Sequence, residues 1–277
     1  MKNSSNVLYL QIAGFVIKII FKRVKDFPII IENEFKNFIK KNFSGFLINE
    51  GRADFIIQID PYKHFSALQK KIGEFLFFIK KRTRRKIITF SHISQHQFRL
   101  ILSLILNELL KNKGFILHAS AVAFQNKAYI FMGQPGAGKS TIMKLLSKKF
   151  NPIADDSIII KKENGSYFAY QTPFMEKEYW IRREKEKYEI GGMFFLKKSR
   201  RIKIEKIKTG FLARKLLNQL RLSQKNLILD TKLLLSFLLK NKNNIYYLFF
   251  PKNREILKFF ITLVNKIFYH SLSEERN

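Results

Sequence analysis

Hydrophobic and polar positions change period along the chain, and the changes mark out its parts. From Asn6 to Phe21 the apolar residues, Val7, Tyr9, Ile17, Ile19 and Phe21 among them, read as a strand or strand pair. Asp26 to Ile31 reads as a second short strand. Glu32 to Phe43 then sets Phe35, Phe38, Ile39 and Phe43 on one helical face, and Ser44-Gly45 ends it. Strands follow at Asp54 to Ile59, stopped by Pro61, at Phe75 to Ile79 and at Lys86 to Phe90. The last two are joined through Lys80-Lys81-Arg82-Thr83-Arg84-Arg85-Lys86, so this basic cluster falls at a hairpin tip or an exposed edge.

From Ser94 the spacing becomes helical. Phe98, Ile101, Leu102, Ile105 and Leu109 form a stripe that Leu100, Leu104 and Leu106 widen, which predicts a helix buried on most sides. Lys113-Gly114 supplies a basic last turn and a C-cap glycine. The domain boundary is placed just before this helix, giving a smaller α+β domain over residues 1–93 and a second domain over 94–277. Phe115 to Phe124 and Lys127 to Met132 read as strands about the turn Gln125-Asn126, and Ser140 to Phe150 as a helix burying Ile142, Leu145 and Leu146. Ser157 to Lys162 and Tyr167 to Tyr170 flank the hairpin turn Glu163-Asn164-Gly165-Ser166. After a charged loop from Thr172 to Lys187 come a strand over Tyr188 to Leu196, interrupted at Gly191-Gly192, helices over Phe211 to Leu222 and Leu227 to Leu239, a strand over Ile245 to Phe250 and a last helix over Arg254 to Phe268.

Composition narrows the function classes. A hydrophobic fraction of 46% over 277 residues is enough for a packed core. There is no cysteine, which excludes disulfides, thiolate zinc sites and cysteine nucleophiles and fits a reducing compartment. The formal net charge is +31, which would attract nucleic acid, an acidic peptide or an anionic membrane. The basic residues are nonetheless spread along the chain, and the heavy use of Lys, Ile, Phe and Asn matches A/T-rich codons, so the charge reads first as composition and solvated faces. No apolar run approaches the ~18 residues of a membrane span. Gln11 breaks the faint signal-peptide look of the first residues, and the chain reads as cytoplasmic. His64, His92 and His96 are scattered and read as ordinary surface or core residues.

Chemistry concentrates between Ile116 and Ile160. Gly133-Gln134-Pro135-Gly136-Ala137-Gly138-Lys139-Ser140 fits G-x-x-x-x-G-K-[ST] completely, between an apolar strand and an amphipathic helix. Such a match arises by chance in about one chain of this length in a hundred, so the loop is read as a phosphate cradle. Lys139 would contact the β/γ-phosphates and Ser140 would offer its hydroxyl to Mg²⁺, with Thr141 as its neighbour. Asp155-Asp156 follows within one short helix of the loop and precedes Ile158-Ile159-Ile160. A kinase needs one acid on the metal side and another to accept the hydroxyl proton, and adjacent acids at a bend can serve both tasks. The alternative is that they cap the turn before Ser157, and His118, on the strand before the loop strand, reads as structural or functional alike.

His118-Ala119-Ser120-Ala121-Val122, the loop and Ala154-Asp155-Asp156 together resemble the catalytic domain of HPr kinase/phosphorylase, and more closely the HPr-kinase-like proteins encoded near peptide-modification cassettes. The resemblance spans about Gly114 to Leu220, with Thr172-Pro173-Phe174 and Met193 to Leu196 also similar, and its specific part runs from His118 to Asp156. It implies an α/β nucleotide-binding core of the HPr kinase and phosphoenolpyruvate carboxykinase type, with ATP and Mg²⁺. By position, Asp155 resembles the acid that activates the acceptor hydroxyl, Asp156 the metal-side acid, Lys139 the lysine on the transferred phosphate, and His118 the histidine beside the phosphates. Gln134-Pro135 replaces the family's acidic-serine pair. The family's Arg-Gly-Leu-Gly-Ile loop has no equivalent, since Ile181-Arg182-Arg183 lacks the glycines. The expected activity is therefore a one-way Mg-ATP-dependent kinase acting on a hydroxyl, a serine's first, of a protein or peptide. The family's multimers imply a homo-oligomer. Two rival readings stand beside it: an ATPase that binds nucleic acid, and a non-catalytic ATP-binding scaffold of a biosynthetic cluster.

Overall fold

The computed structural model describes residues 6–22, 29–61, 78–91, 93–174, 178–207, 209–220 and 227–274. By internal contacts they fall into two units: Met1–Leu110 with Arg183–Lys185, and Lys111–Arg182 with Glu186–Asn277.

The first unit is built on a six-stranded sheet. Strands β1 (Val7–Ile12), β2 (Phe15–Phe21), β3 (Leu47–Ile48), β4 (Phe55–Asp60), β5 (Ile79–Arg82) and β6 (Lys86–Phe90) lie in the order β3-β1-β2-β4-β6-β5. β2, β4 and β6 run parallel and the other pairs antiparallel. Alternation sets the buried face: Phe15, Ile17, Ile19 and Phe21 of β2 point inward with Phe55, Ile57 and Ile59 of β4. Helices α1 (Ile29–Asn42) and α2 (Gln95–Leu110) belong to this unit, and Phe98 of α2 meets Phe35, Phe38 and Phe43 at centroid distances of 5.3, 6.2 and 5.6 Å. Edge-to-face pairs of this kind add about 0.5–1.5 kcal/mol each beyond burial. The basic cluster occupies the β5–β6 hairpin at the sheet edge, as its position in the sequence predicts.

The expected strand over Asp26 to Ile31 is corrected. Ile29 to Ile31 open α1, and Asp26 to Pro28 lie outside the described residues. A short isoleucine run does not by itself distinguish strand from helix, and here the helix that buries Phe35 and Ile39 begins with it. His96 is exposed on α2, while His64, His92, Phe75 to Phe77 and Leu222 lie outside the described residues. The left-handed residue after α2 is Asn112, with φ 61°, and Gly114 instead begins a strand. Asparagine tolerates that conformation through its short polar side chain.

The second unit is a nine-stranded sheet with helices on both faces. Its main path is β10 (Asn151–Ala154), β8 (Ser120–Phe124), β9 (Lys127–Met132), β13 (Lys187–Lys198), β12 (Ser166–Gln171), β11 (Ser157–Glu163) and β7 (Gly114–His118); β14 (Lys203–Lys206) and β15 (Ile245–Phe250) branch from β13. β9 and β15 run parallel to β13. Their near-continuous apolar runs are explained by burial on both sides. Ala128, Ile130 and Met132 of β9 join the core with Leu212 and Leu216 of α4 (Thr209–Leu217) and Leu234 and Phe237 of α5 (Leu227–Asn241). The alternate residues Tyr129 and Phe131 join the core with Ile142 and Leu146 of α3 (Lys139–Leu146) and Phe260 and Val264 of α6 (Glu255–Glu274). The single expected strand over Phe115 to Phe124 is two, because the chain changes partners at Ala119: β7 pairs with β11, and β8 with β9 and β10. The helix expected to reach Phe150 ends at Leu146, and β10 and β14 were not foreseen. No helix among the described residues is long and apolar enough to cross a membrane.

Candidate active site

The glycine loop sits where β9 ends and α3 begins. β13 runs beside β9 with Phe195 level with Met132, so Leu196 is level with the loop's first residue and Lys197 and Lys198 extend past it. Gly133 has φ 150°, and a Cβ there would stand 2.9 Å from the Ala137 Cβ, so only glycine closes the loop this tightly. Gly138, with φ 101°, caps α3. Inside the loop the Ala137 N–H donates to the Gln134 carbonyl at 3.0 Å. Lys139 is buried, and its Nζ donates to the carbonyls of Gly133 at 2.9 Å and Gln134 at 3.4 Å. Ser140 and Thr141 are half-buried in the first turn of α3.

The acidic pair forms the bend between β10 and β11, and both aspartates are buried. The two carboxylates have different neighbours. Asp156 Oδ1 lies 3.0 Å from His118 Nδ1. The connection is reinforced by backbone, since the Ala119 N–H donates to the Asp156 carbonyl at 3.0 Å and Ser157 is level with His118 across the β7–β11 ladder. Asp155 Oδ2 instead accepts the Glu178 N–H at 3.0 Å. Glu178 is buried and fixed in turn: its Oε1 lies 2.7 Å from Lys144 Nζ, and its Oε2 accepts the Trp180 indole N–H at 2.7 Å.

A cavity of about 690 Å³ takes in His118 together with Gly133 to Ala137. Thus His118 touches both halves of the expected site, the acid pair by distance and the loop by a shared cavity. Asp155, Asp156, Lys139, Ser140 and Thr141 do not line it. Among the described residues no group of three or more histidines, aspartates and glutamates comes together to hold a metal alone.

Two residues here carry no signal in the sequence. Gln219 ties the two halves together from just beyond α4: its Oε1 accepts the Gly133 N–H at 3.1 Å and its backbone carbonyl accepts the His118 N–H at 2.7 Å. Glu178 supports Asp155. Neither stands at a motif spacing, and the Gln219 bond joins positions 86 apart, so only the fold brings them in.

A family model described as SynChlorMet cassette protein ScmC matches residues 79–243. No curated protein matches the chain. Among solved structures, that of the Hpr(Ser) kinase/phosphatase from Coxiella burnetii is similar, at 15% identity and a TM-score of 0.33, over 58% of this chain and 98% of that one. A likeness at that score carries no argument, and the functional reading rests on the residues themselves.

Proposed function

The chain belongs to the SynChlorMet cassette protein ScmC family, and from this premise we propose that it is a Mg-ATP-dependent kinase that transfers the γ-phosphate to a hydroxyl, a serine's first, of a protein or small peptide. In this reading the HPr-kinase-like nucleotide-binding domain lies within residues 94–277 and begins after α2, which packs in the first unit, and the first unit is accessory. The observation that carries it is the buried acid pair at the β10–β11 bend, one carboxylate 3.0 Å from a histidine whose cavity is shared with a complete phosphate-loop motif.

The residues fit the groups the reading requires. The backbone of Gly133 and Gly138, at φ 150° and 101°, leaves the loop without side chains at its closest turns, and the Lys139 ammonium is held on the loop by two of its carbonyls. Backbone N–H groups at a helix N-terminus favour phosphate. Magnesium keeps water and phosphate oxygens among its ligands, so one carboxylate and one hydroxyl suffice; Asp156 and Ser140 would hold it. Bound there, it supplies positive charge to the phosphate oxygens.

The chain's own residues then divide the work. Asp155 accepts the acceptor's hydroxyl proton as that oxygen bonds to the γ-phosphorus and the bond to the departing diphosphate oxygen breaks. Lys139 meets the charge that develops on the transferred group and the leaving oxygen. His118 holds Asp156 in place, and Glu178 holds Asp155 through its backbone N–H.

Incubation with Mg-ATP and synthetic serine peptides tests the reading by mass spectrometry. The expected product carries one added phosphate, and Asp155→Asn lowers its rate by about 10²–10⁴-fold while ATP-analogue binding is retained. Full transfer by Asp155→Asn would remove that residue from its role. ATP binding without transfer to any hydroxyl would favour the scaffold reading.

A further inference from the structure

The cavity beside the glycine loop has a second wall that the phosphate chemistry does not use. It is formed by Lys197 and Lys198 at the end of β13 and by Lys215 of α4, together with Phe195 and Tyr247. Among the described residues no carboxylate pairs with any of these three lysines. Aromatic faces hold two of them instead. The Lys215 ammonium stands 5.1 Å from the Tyr247 ring centroid and 5.9 Å from that of Phe195, and the Lys197 ammonium 5.6 Å from that of Tyr247. A cation over a ring keeps its full charge and its donors, so this arrangement steadies the ammonium groups without neutralising them. Three like charges on one concave wall repel each other and favour an anion between them.

Two sources could supply that anion, the nucleotide or the acceptor. The nucleotide's phosphates already have a place, at the loop backbone that forms the other wall of this cavity and at Lys139 and the first turn of α3, which do not line it. Resting on the kinase reading above, we propose that Lys197, Lys198 and Lys215 form a subsite for carboxylate side chains of the acceptor, so that the acceptor is an acidic peptide.

The test is binding, read without turnover. Two dye-labelled peptides of equal length, each with one serine flanked by glutamates or by glutamines, are titrated by anisotropy against the full chain with a non-hydrolysable ATP analogue present. The glutamate peptide is expected to bind at least about tenfold more tightly. The preference should vanish in Lys197→Gln/Lys215→Gln and survive in Lys197→Arg/Lys215→Arg. Arg84→Gln/Arg85→Gln removes the same charge from the exposed β5–β6 hairpin and should leave the preference intact. Equal or absent binding of the two peptides would overturn the proposal. So would equal loss in both charge-removing variants, which would reduce the effect to net charge, or a Lys197→Gln/Lys215→Gln variant that weakens the analogue instead of the peptide. Glutamate-peptide binding through these lysines, with no phosphate transferred when Mg-ATP replaces the analogue, would count against the kinase reading alone.

Discussion

Asp155 and Asp156 are chain neighbours with separate surroundings, because each carboxylate is claimed by a different element. Asp156 is met by His118 from β7, and Asp155 by the backbone of Glu178 from the loop before β13. Gln219 is the residue whose removal most directly separates the parts. With Gln219→Ala the Gly133 N–H loses its acceptor while the backbone bond to His118 remains. Losing one such bond costs about 1 kcal/mol, so the ATP-analogue Kd is expected to rise roughly fivefold in isothermal titration. The acids, the histidine and the loop were legible as residue types at telling spacings. Gln219, Glu178 and the cavity lysines were not, since their roles come from approach in space and a polar residue beside a helix end carries no periodic signal.

At the scale of elements, β9 shows why some strands read clearly. Its alternate residues enter two cores, and both faces demand apolar side chains. The strands missed, β10 and β14, are four residues each; β10 contains Pro152, and β14 reads Lys-Ile-Glu-Lys, so neither gives a hydrophobic period to count. Helix α6 anchors one face through Phe260, whose ring lies 5.4–5.5 Å from those of Tyr129, Phe131, Phe150 and Phe194. Phe260→Ala should cost about 3–5 kcal/mol, measured by denaturant unfolding, since these four rings cannot all close on the cavity. Burial pushes the Tyr129 phenol up from 10.0 to about 12. The unfolded chain thus loses this proton first as pH rises, and the fold loses stability from about pH 10 until the folded phenol itself titrates. The melting temperature of the wild type should fall more steeply between pH 10 and 12 than that of Tyr129→Phe. At the other end, burial alone would raise the Glu163 carboxyl, but hydrogen bonds from Lys161, Tyr170 and Lys187 outweigh it and hold the group below its ordinary value. That contribution is present above the ordinary carboxylate range and fades as pH falls through the lowered one.

For the whole molecule, the sequence predicts two domains but not how the chain is shared between units. The first unit is discontinuous: Arg183–Lys185 returns to it from a loop that otherwise belongs to the second. Within that unit Gly45 is the contact. A Cβ there would stand 1.6 Å from the Arg183 carbonyl oxygen, a backbone atom with no room to yield. Gly45→Ala should therefore loosen the first unit, seen as faster hydrogen exchange at Phe46 to Ile48. In sequence, Ser44-Gly45 was only a helix stop; its partner lies far along the chain, where no local pattern reaches.

The returning segment also sets an order of events at the ribosome. When Leu110 has emerged, the first unit still lacks its last piece, which arrives only with Lys185. At ordinary elongation rates that interval is about 4–15 s. During it the nascent first unit has its whole sheet but lacks its last three residues, and the strands that carry the glycine loop and the acid pair are translated before the unit that precedes them can be finished.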